Sequence, residues 1–190
     1  MSAPTRFTSG VTNAASFQPL GAIGFPDPFF YAQFYDDFLP YTAAAYTVTA
    51  SGGAVAADAV LPNGRITFTS AATANSLPQI QPISSSFIYT PGKKLAFLCR
   101  VRMANVTTQT FYGGLITAGN VLASTVVDGI YFIKLAGTTN IVVNVVNAST
   151  IVGTTTLTGL LTNNVDIDLG FVVTPTGSIK IYAGPNLEGV

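Results

Sequence analysis

From Gln33 onward this chain is a succession of short runs rich in Val, Ile, Thr, Tyr and Phe, cut by Gly, Pro, Asn and Ser, and that pattern admits little besides β structure. The runs Gln33–Leu39, Tyr46–Ala50, Arg65–Ser70, Gln79–Ile83, Lys94–Met103, Gln109–Thr117, Gly129–Leu135, Ile141–Asn147, Ile151–Thr156, Val165–Thr174 and Ser178–Tyr182 read as strands. Alternation is plainest in two of them. In Lys94–Met103, Leu95, Phe97, Cys99, Val101 and Met103 share one face, and Ala96, Leu98, Arg100 and Arg102 the other. In Val165–Thr174, Val165, Ile167, Leu169, Phe171 and Val173 face inward, and Asp166, Asp168 and Gly170 outward. Pro62-Asn63-Gly64 and Pro175-Thr176-Gly177 carry turn chemistry, and Pro91-Gly92 breaks the chain before a strand. Ala43–Ala45 and Ala71–Ala74 are Ala-rich but short and flanked by Thr. Short strands at this spacing without helical crossovers predict an all-β fold, an antiparallel two-sheet jelly-roll sandwich over residues 33–190.

Residues 1–32 read differently, as an extended N-terminal arm. The first forty-one residues hold five of the eleven prolines, and Phe7, Phe17, Phe25, Phe29, Phe30, Tyr31, Phe34, Tyr35, Phe38 and Tyr41. Pro4, Pro19, Pro26 and Pro28 remove backbone donors and hold the chain extended. A disordered tail would be poor in aromatics and rich in charge, the reverse of this segment. Spaced apolar anchors on an extended chain suit a strap laid across a surface. Roughly thirty residues at about 3.3 Å each reach on the order of 100 Å, far enough to meet another subunit. Phe7, Phe17, Phe25, Phe29 and Phe30 are the expected anchors.

Composition narrows the function. Only 8% of the 190 residues are charged, and Lys and Arg balance Asp and Glu for a net charge of zero. A surface built largely from Thr, Ser, Asn, Gly and Ala repels neighbours weakly and suits a protein that sits in an assembly. No basic cluster exceeds Lys93-Lys94 or Arg100-x-Arg102, so the phosphate-neutralising stripe of a nucleic-acid binder is missing. No run is apolar enough to span a bilayer, and the N-terminus lacks the pattern of a secretory signal. Asn105-Val106-Thr107 and Asn147-Ala148-Ser149 match the glycosylation triplet, as chance allows in a Thr-rich chain. Cys99 is the single cysteine and reads as a small apolar core residue.

Candidate chemistry is sparse. The chain has no His, which removes His-based acid–base and nucleophile systems and His zinc sites. Asp166 and Asp168 project from one strand face, either as a carboxylate pair for glycoside cleavage or calcium, or as the polar face of an amphipathic strand. Asp36-Asp37 lie between aromatics and read as turn caps or Arg partners. Arg100 and Arg102 either pair with Asp166 and Asp168 across neighbouring strands or contact a partner subunit. Gly113-Gly114 has no Lys or following helix to make a phosphate cradle. No catalytic residue, metal or cofactor is expected.

The order of several short motifs is familiar. Thr5-Arg6-Phe7-x-x-Gly10-Val11-Thr12-Asn13-Ala14, then Pro19-Leu20-Gly21 and Phe25-Pro26-Asp27-Pro28, leads into Phe34-Tyr35-Asp36-Asp37-Phe38. Thr90-Pro91-Gly92-Lys93 and Asp128-Gly129-Ile130-Tyr131-Phe132 follow. This order resembles tailed-bacteriophage capsid decoration (cement) proteins with a concanavalin/laminin-G-like sandwich. The resemblance spans most of the chain. It implies a virion protein made in the host cytoplasm and placed on the outer surface of the phage head. It implies a homo-oligomer, with a trimer favoured, that clamps neighbouring major capsid subunits. Two features depart from the family: Tyr46 stands where a Trp is common, and members continue through a further closing strand after the region of Leu187-Glu188-Gly189-Val190. A carbohydrate-binding or tail-associated receptor module on the same sandwich is the alternative expectation, and a glycan-cleaving enzyme the third. The absence of Trp weighs against a sugar platform.

Overall fold

The computed structural model describes residues 34, 36–38, 41–58, 64–71, 76–83, 87–117 and 126–184. The fold is all-β with antiparallel pairing throughout, and its single helical element is a 3-10 turn at Ala43–Ala45 among the described residues. The strands are β1 (Tyr46–Ser51), β2 (Gly53–Ala57), β3 (Ile66–Ser70), β4 (Leu77–Pro82), β5 (Leu95–Arg102), β6 (Phe111–Ile116), β7 (Gly129–Lys134), β8 (Ile141–Asn147), β9 (Thr150–Leu157), β10 (Asp166–Val173) and β11 (Ile179–Gly184). All but one of the expected runs coincide with a strand to within two residues. The exception is Gln33–Leu39, none of whose described residues is in a strand. There the Asp36 side chain turns the backbone: its Oδ1 accepts the Phe38 N–H at 2.6 Å, and Phe38 takes a left-handed φ of 58°.

By its backbone contacts the chain divides into two compact units. In their described parts, one holds residues 89–117 and 126–184, the other residues between 34 and 88. The second unit pairs β1 with β4 and β2 with β3.

The first unit is a two-sheet sandwich. One sheet has the order β11-β10-β5 and the other is the meander β6-β7-β8-β9. The jelly-roll order stays an expectation, since these pairings do not establish it. The core lies between the sheets. Ile167, Leu169, Phe171, Val173 and Ala183 come from one, and Phe132, Ile141, Val143 and Leu157 from the other. The Phe132 and Phe171 rings, 6.2 Å apart, join the two layers, and Phe97 stacks on Phe171 at 5.5 Å. Each such side chain contributes roughly 1.5–3 kcal/mol by leaving water. The inward set expected for β5 packs on this core through Leu95, Phe97, Cys99 and Val101. Val165 departs from its expected inward position: it precedes β10 and is exposed.

Candidate functional site

Strand register places three rows of four residues on the outer face of the four-stranded sheet. They are Tyr112, Ile133, Val142 and Thr156; Gly114, Tyr131, Asn144 and Thr154; and Ile116, Gly129, Val146 and Ile151. None is charged. An antiparallel sheet with one face in water ordinarily alternates apolar-in with polar-out. Here seven of the twelve outward positions carry Tyr, Ile or Val, and the others only Gly, Thr or Asn.

The middle of this face is organised by contacts running across the strands. Gly114 leaves space for Tyr131, since a Cβ there would stand 2.6 Å from the Tyr131 Cα. The Tyr112 and Tyr131 rings lie 6.4 Å apart, and burial together with Tyr131 raises the Tyr112 phenol above its ordinary pKa. Asn144 Nδ2 donates to Tyr131 Oη at 3.3 Å, and Thr154 Oγ1 donates to Asn144 Oδ1 at 3.1 Å. One row therefore links β7 to β9 through uncharged groups whose polar atoms satisfy each other.

The opposite sheet carries the charges. Register sets Asp168 beside Arg100 and Asp166 beside Arg102. Arg100 grips Asp168 with two parallel bonds, Nε to Oδ1 at 2.6 Å and Nη2 to Oδ2 at 2.7 Å. The hydrogen bond and the Asp168 charge raise the Arg100 pKa further. Asp168 is thus engaged by a guanidinium across neighbouring strands. Cys99, on the core side of β5, has its thiol pushed up to about 12, chiefly by burial and secondarily by Asp168.

Lys134 was not legible as a site residue. It ends β7 on the core face, fully buried, and its Nζ donates to the backbone carbonyls of Val106 and Gln109. Burial lowers its pKa. Around it the loop between β5 and β6 is tied by Asn105 Oδ1, which accepts from Thr107 N at 2.9 Å, and by Asn163 Oδ1, which accepts from Val106 N at 2.8 Å. Asn105, the first residue of one glycosylation-like triplet, is therefore a turn cap.

In the other unit Tyr46 is buried among Phe34, Phe38 and Tyr41, with ring centroids 6.1–6.3 Å from its own. Its hydroxyl donates to Asp36, and burial, followed by that bond, raises its pKa. Asp36 serves as a cap and tyrosine partner. Tyr46 thus meets Asp36 through its hydroxyl and Phe38 through its ring.

Comparison of the chain with protein-family models, with curated proteins and with solved structures finds no match in any of the three. The arm anchors Phe7, Phe17, Phe25, Phe29 and Phe30 lie outside the described residues. Among the described residues no three of His, Cys, Asp and Glu gather as a metal site would require, and no helix is long and apolar enough to cross a membrane.

Proposed function

We propose that this protein is a virion structural component that decorates an icosahedral phage head and stabilises it by clamping neighbouring major capsid subunits. The uncharged outer face of β6–β9 carries the reading. Tyr112, Ile116, Ile133 and Val142 on this face are half-buried, so covering the surface they still expose gains free energy and loses little by desolvation of charge. The low overall charge, and a motif order that resembles that of decoration proteins, point the same way. The protein then works by contact, as an oligomer on the outside of the head, with the aromatic arm reaching other chains.

The second reading, a glycan-binding or tail-associated module, draws on the row Tyr112, Tyr131, Asn144 and Thr154, whose rings and amide suit sugar faces and hydroxyls. It ranks lower because Tyr131 and Asn144 are buried and bonded to one another.

The test is sedimentation of the purified protein with phage heads lacking it. Saturable binding at a fixed ratio to the major capsid protein is expected, weakened by Ile133→Asp on the outer face. Absence of binding to heads, with retention on a glycan array, would replace this reading with the second one.

A further inference from the structure

What a sheet edge would bring against its own copy limits whether it can self-associate. A two-fold axis sets a strand antiparallel to itself, so any charge near the axis meets a like charge. Among the described residues of the sandwich, β5 and β11 end one sheet, and β6 and β9 the other. β5 carries Arg100 and Arg102, and β11 carries Lys180. β6 is uncharged, but its residues are half-buried. β9 differs from all three. From Thr150 to Leu157 it has neither charge nor proline, and up to Thr156 its residues are exposed apart from half-buried Gly153. Ile151 and Val152 are 57% and 62% exposed. The usual devices that keep an edge from pairing are missing from this strand.

The pairing of β9 with β8 fixes how the free side is laid out. The irregularity in that ladder lies between Val145 and Val146, so Gly153–Leu157 is a regular strand. Residues facing each other across an antiparallel ladder turn their backbone groups the same way and their side chains to the same face. A two-fold axis between identical strands therefore passes beside one residue, which faces its own copy. An axis at Thr154 sets Gly153 opposite the partner's Thr155 and Val152 opposite the partner's Thr156. It also brings Ile151 beside the partner's Leu157, so both exposed apolar residues gain a neighbour. Gly153 has room for this: a Cβ there would meet only Val145 among the described residues, no closer than 3.6 Å.

We infer that β9 is a self-association edge: β9 of a second copy of this chain pairs with it antiparallel about a two-fold axis at Thr154, joining the two β6–β9 sheets into one. Charge, order and closure favour a second copy as the occupant. Its β9 is equally uncharged, so no like charges meet at the axis. It is already held as a strand by β8, so pairing avoids the ordering cost that a flexible peptide would incur. Pairing about a two-fold also closes at two copies instead of running on as a filament. Main-chain hydrogen bonds supply the attraction, and covering Ile151 and Val152 adds to it. The contact is distinct from the trimer that the resemblance to decoration proteins implies. It does not draw on the capsid reading and is tested without any capsid.

Two sets of variants test this on the full chain. In a Cys99→Ala background, Thr154→Cys places a single thiol on the axis, with Cα atoms about 4.5–5.5 Å apart across the pair and so within disulfide reach. It should oxidise to a covalent dimer. Thr156 is also exposed, but the two copies of Thr156→Cys would lie about 13 Å apart along the strands, so this variant should stay uncrosslinked. Sedimentation equilibrium should show the parent chain dimerising, and Thr154→Lys and Thr154→Glu each weakening dimerisation about tenfold. An equimolar mixture of the two charge variants should recover it. Where a charge variant fails to fold, the cysteine pair decides. A monomeric parent chain, equal cross-linking at Thr154 and Thr156, or folded charge variants that dimerise as well as the parent would each overturn the inference.

Discussion

Arg100 and Asp168 share two hydrogen bonds but not the same surroundings: the arginine side chain is 68% exposed and the aspartate 11%. Arg100→Ala strands a nearly buried carboxylate without its closest counter-charge and should cost about 2 kcal/mol, discounted for the pair's partial contact with water. Asp168→Ala leaves a solvated guanidinium and should cost less than about 1 kcal/mol. Urea titration of the two variants checks this, and equal losses would show that the asymmetry in burial has no energetic weight. Cys99 gives an alkaline signature. Its thiol ionises near its ordinary 9.0 when the chain is unfolded and near 12 when folded, so the folded state keeps the proton longer. That contribution is whole below pH 9 and declines as pH rises from 9 to 12, by roughly 1.4 kcal/mol per pH unit. Cys99→Ala should lower stability at neutral pH yet flatten this slope, and an unchanged slope would show the thiol to be hydrated. The Arg–Asp pairing was legible, because two long alternating strands each carried charges two residues apart. Lys134 was not: a lysine closing an apolar run reads as solvent-facing, and only the inward carbonyls of Val106 and Gln109 make its burial tolerable.

The β8–β9 hairpin pairs Asn147 with Thr150, and both residues between them have left-handed backbones, Ala148 at φ 48° and Ser149 at φ 64°. Two-residue turns of this geometry favour Asn-Gly. Ala148 and Ser149 are held in it by Asp128, whose Oδ1 accepts Ala148 N at 2.9 Å, and by Val127 O, which accepts Ser149 N at 2.8 Å. Ala148→Asn with Ser149→Gly should therefore stabilise the protein by about 1 kcal/mol, seen as a rise in Tm. No gain would mean that residues 127–128 already offset the strain. The turn escaped notice in the sequence because Ala-Ser carries no turn signal. β2 escaped for a related reason: Gly53-Ala54-Val55-Ala56-Ala57 is poor in strand formers, and β2 forms through its pairing with β3. Gln33–Leu39 erred the other way, with Phe34 and Phe38 drawn into a cluster around Tyr46 instead of a ladder.

For the whole molecule, fold class was legible because helical periodicity is missing throughout. The uncharged face was legible in principle too: Gly129–Leu135 and Ile141–Asn147 are nearly continuous apolar runs, the pattern of strands covered on both sides. Tyr131, Asn144 and Val146 on that face are buried within the chain itself, and neighbouring Tyr112, Ile133 and Val142 are half-buried. If each arm buries about 500 Å² of apolar area, the gross driving force is about 12 kcal/mol at about 25 cal/mol per Å². Ordering and association costs return much of that, and copies linked as an oligomer would recover it through avidity. On the proposed head-stabilising role, heads assembled without this protein should form, yet break at lower temperature or lower internal pressure than complete ones. Deleting Ser2–Phe30 should leave a folded sandwich that no longer protects them. Equal protection by the armless form would assign the essential contact to the sandwich face.

The enclosed amine of Lys134 also makes the sandwich its own recorder. Lys93, Lys94 and Lys180 are exposed, so an acylating reagent reaches them in the native protein, whereas the Lys134 amine is shielded until the loop between β5 and β6 lifts away. The time course of acylation at that one position, read by mass after a pulse of reagent, counts openings of the sandwich directly. The same count on free and particle-bound protein would tell how far an assembly slows the breathing of its parts.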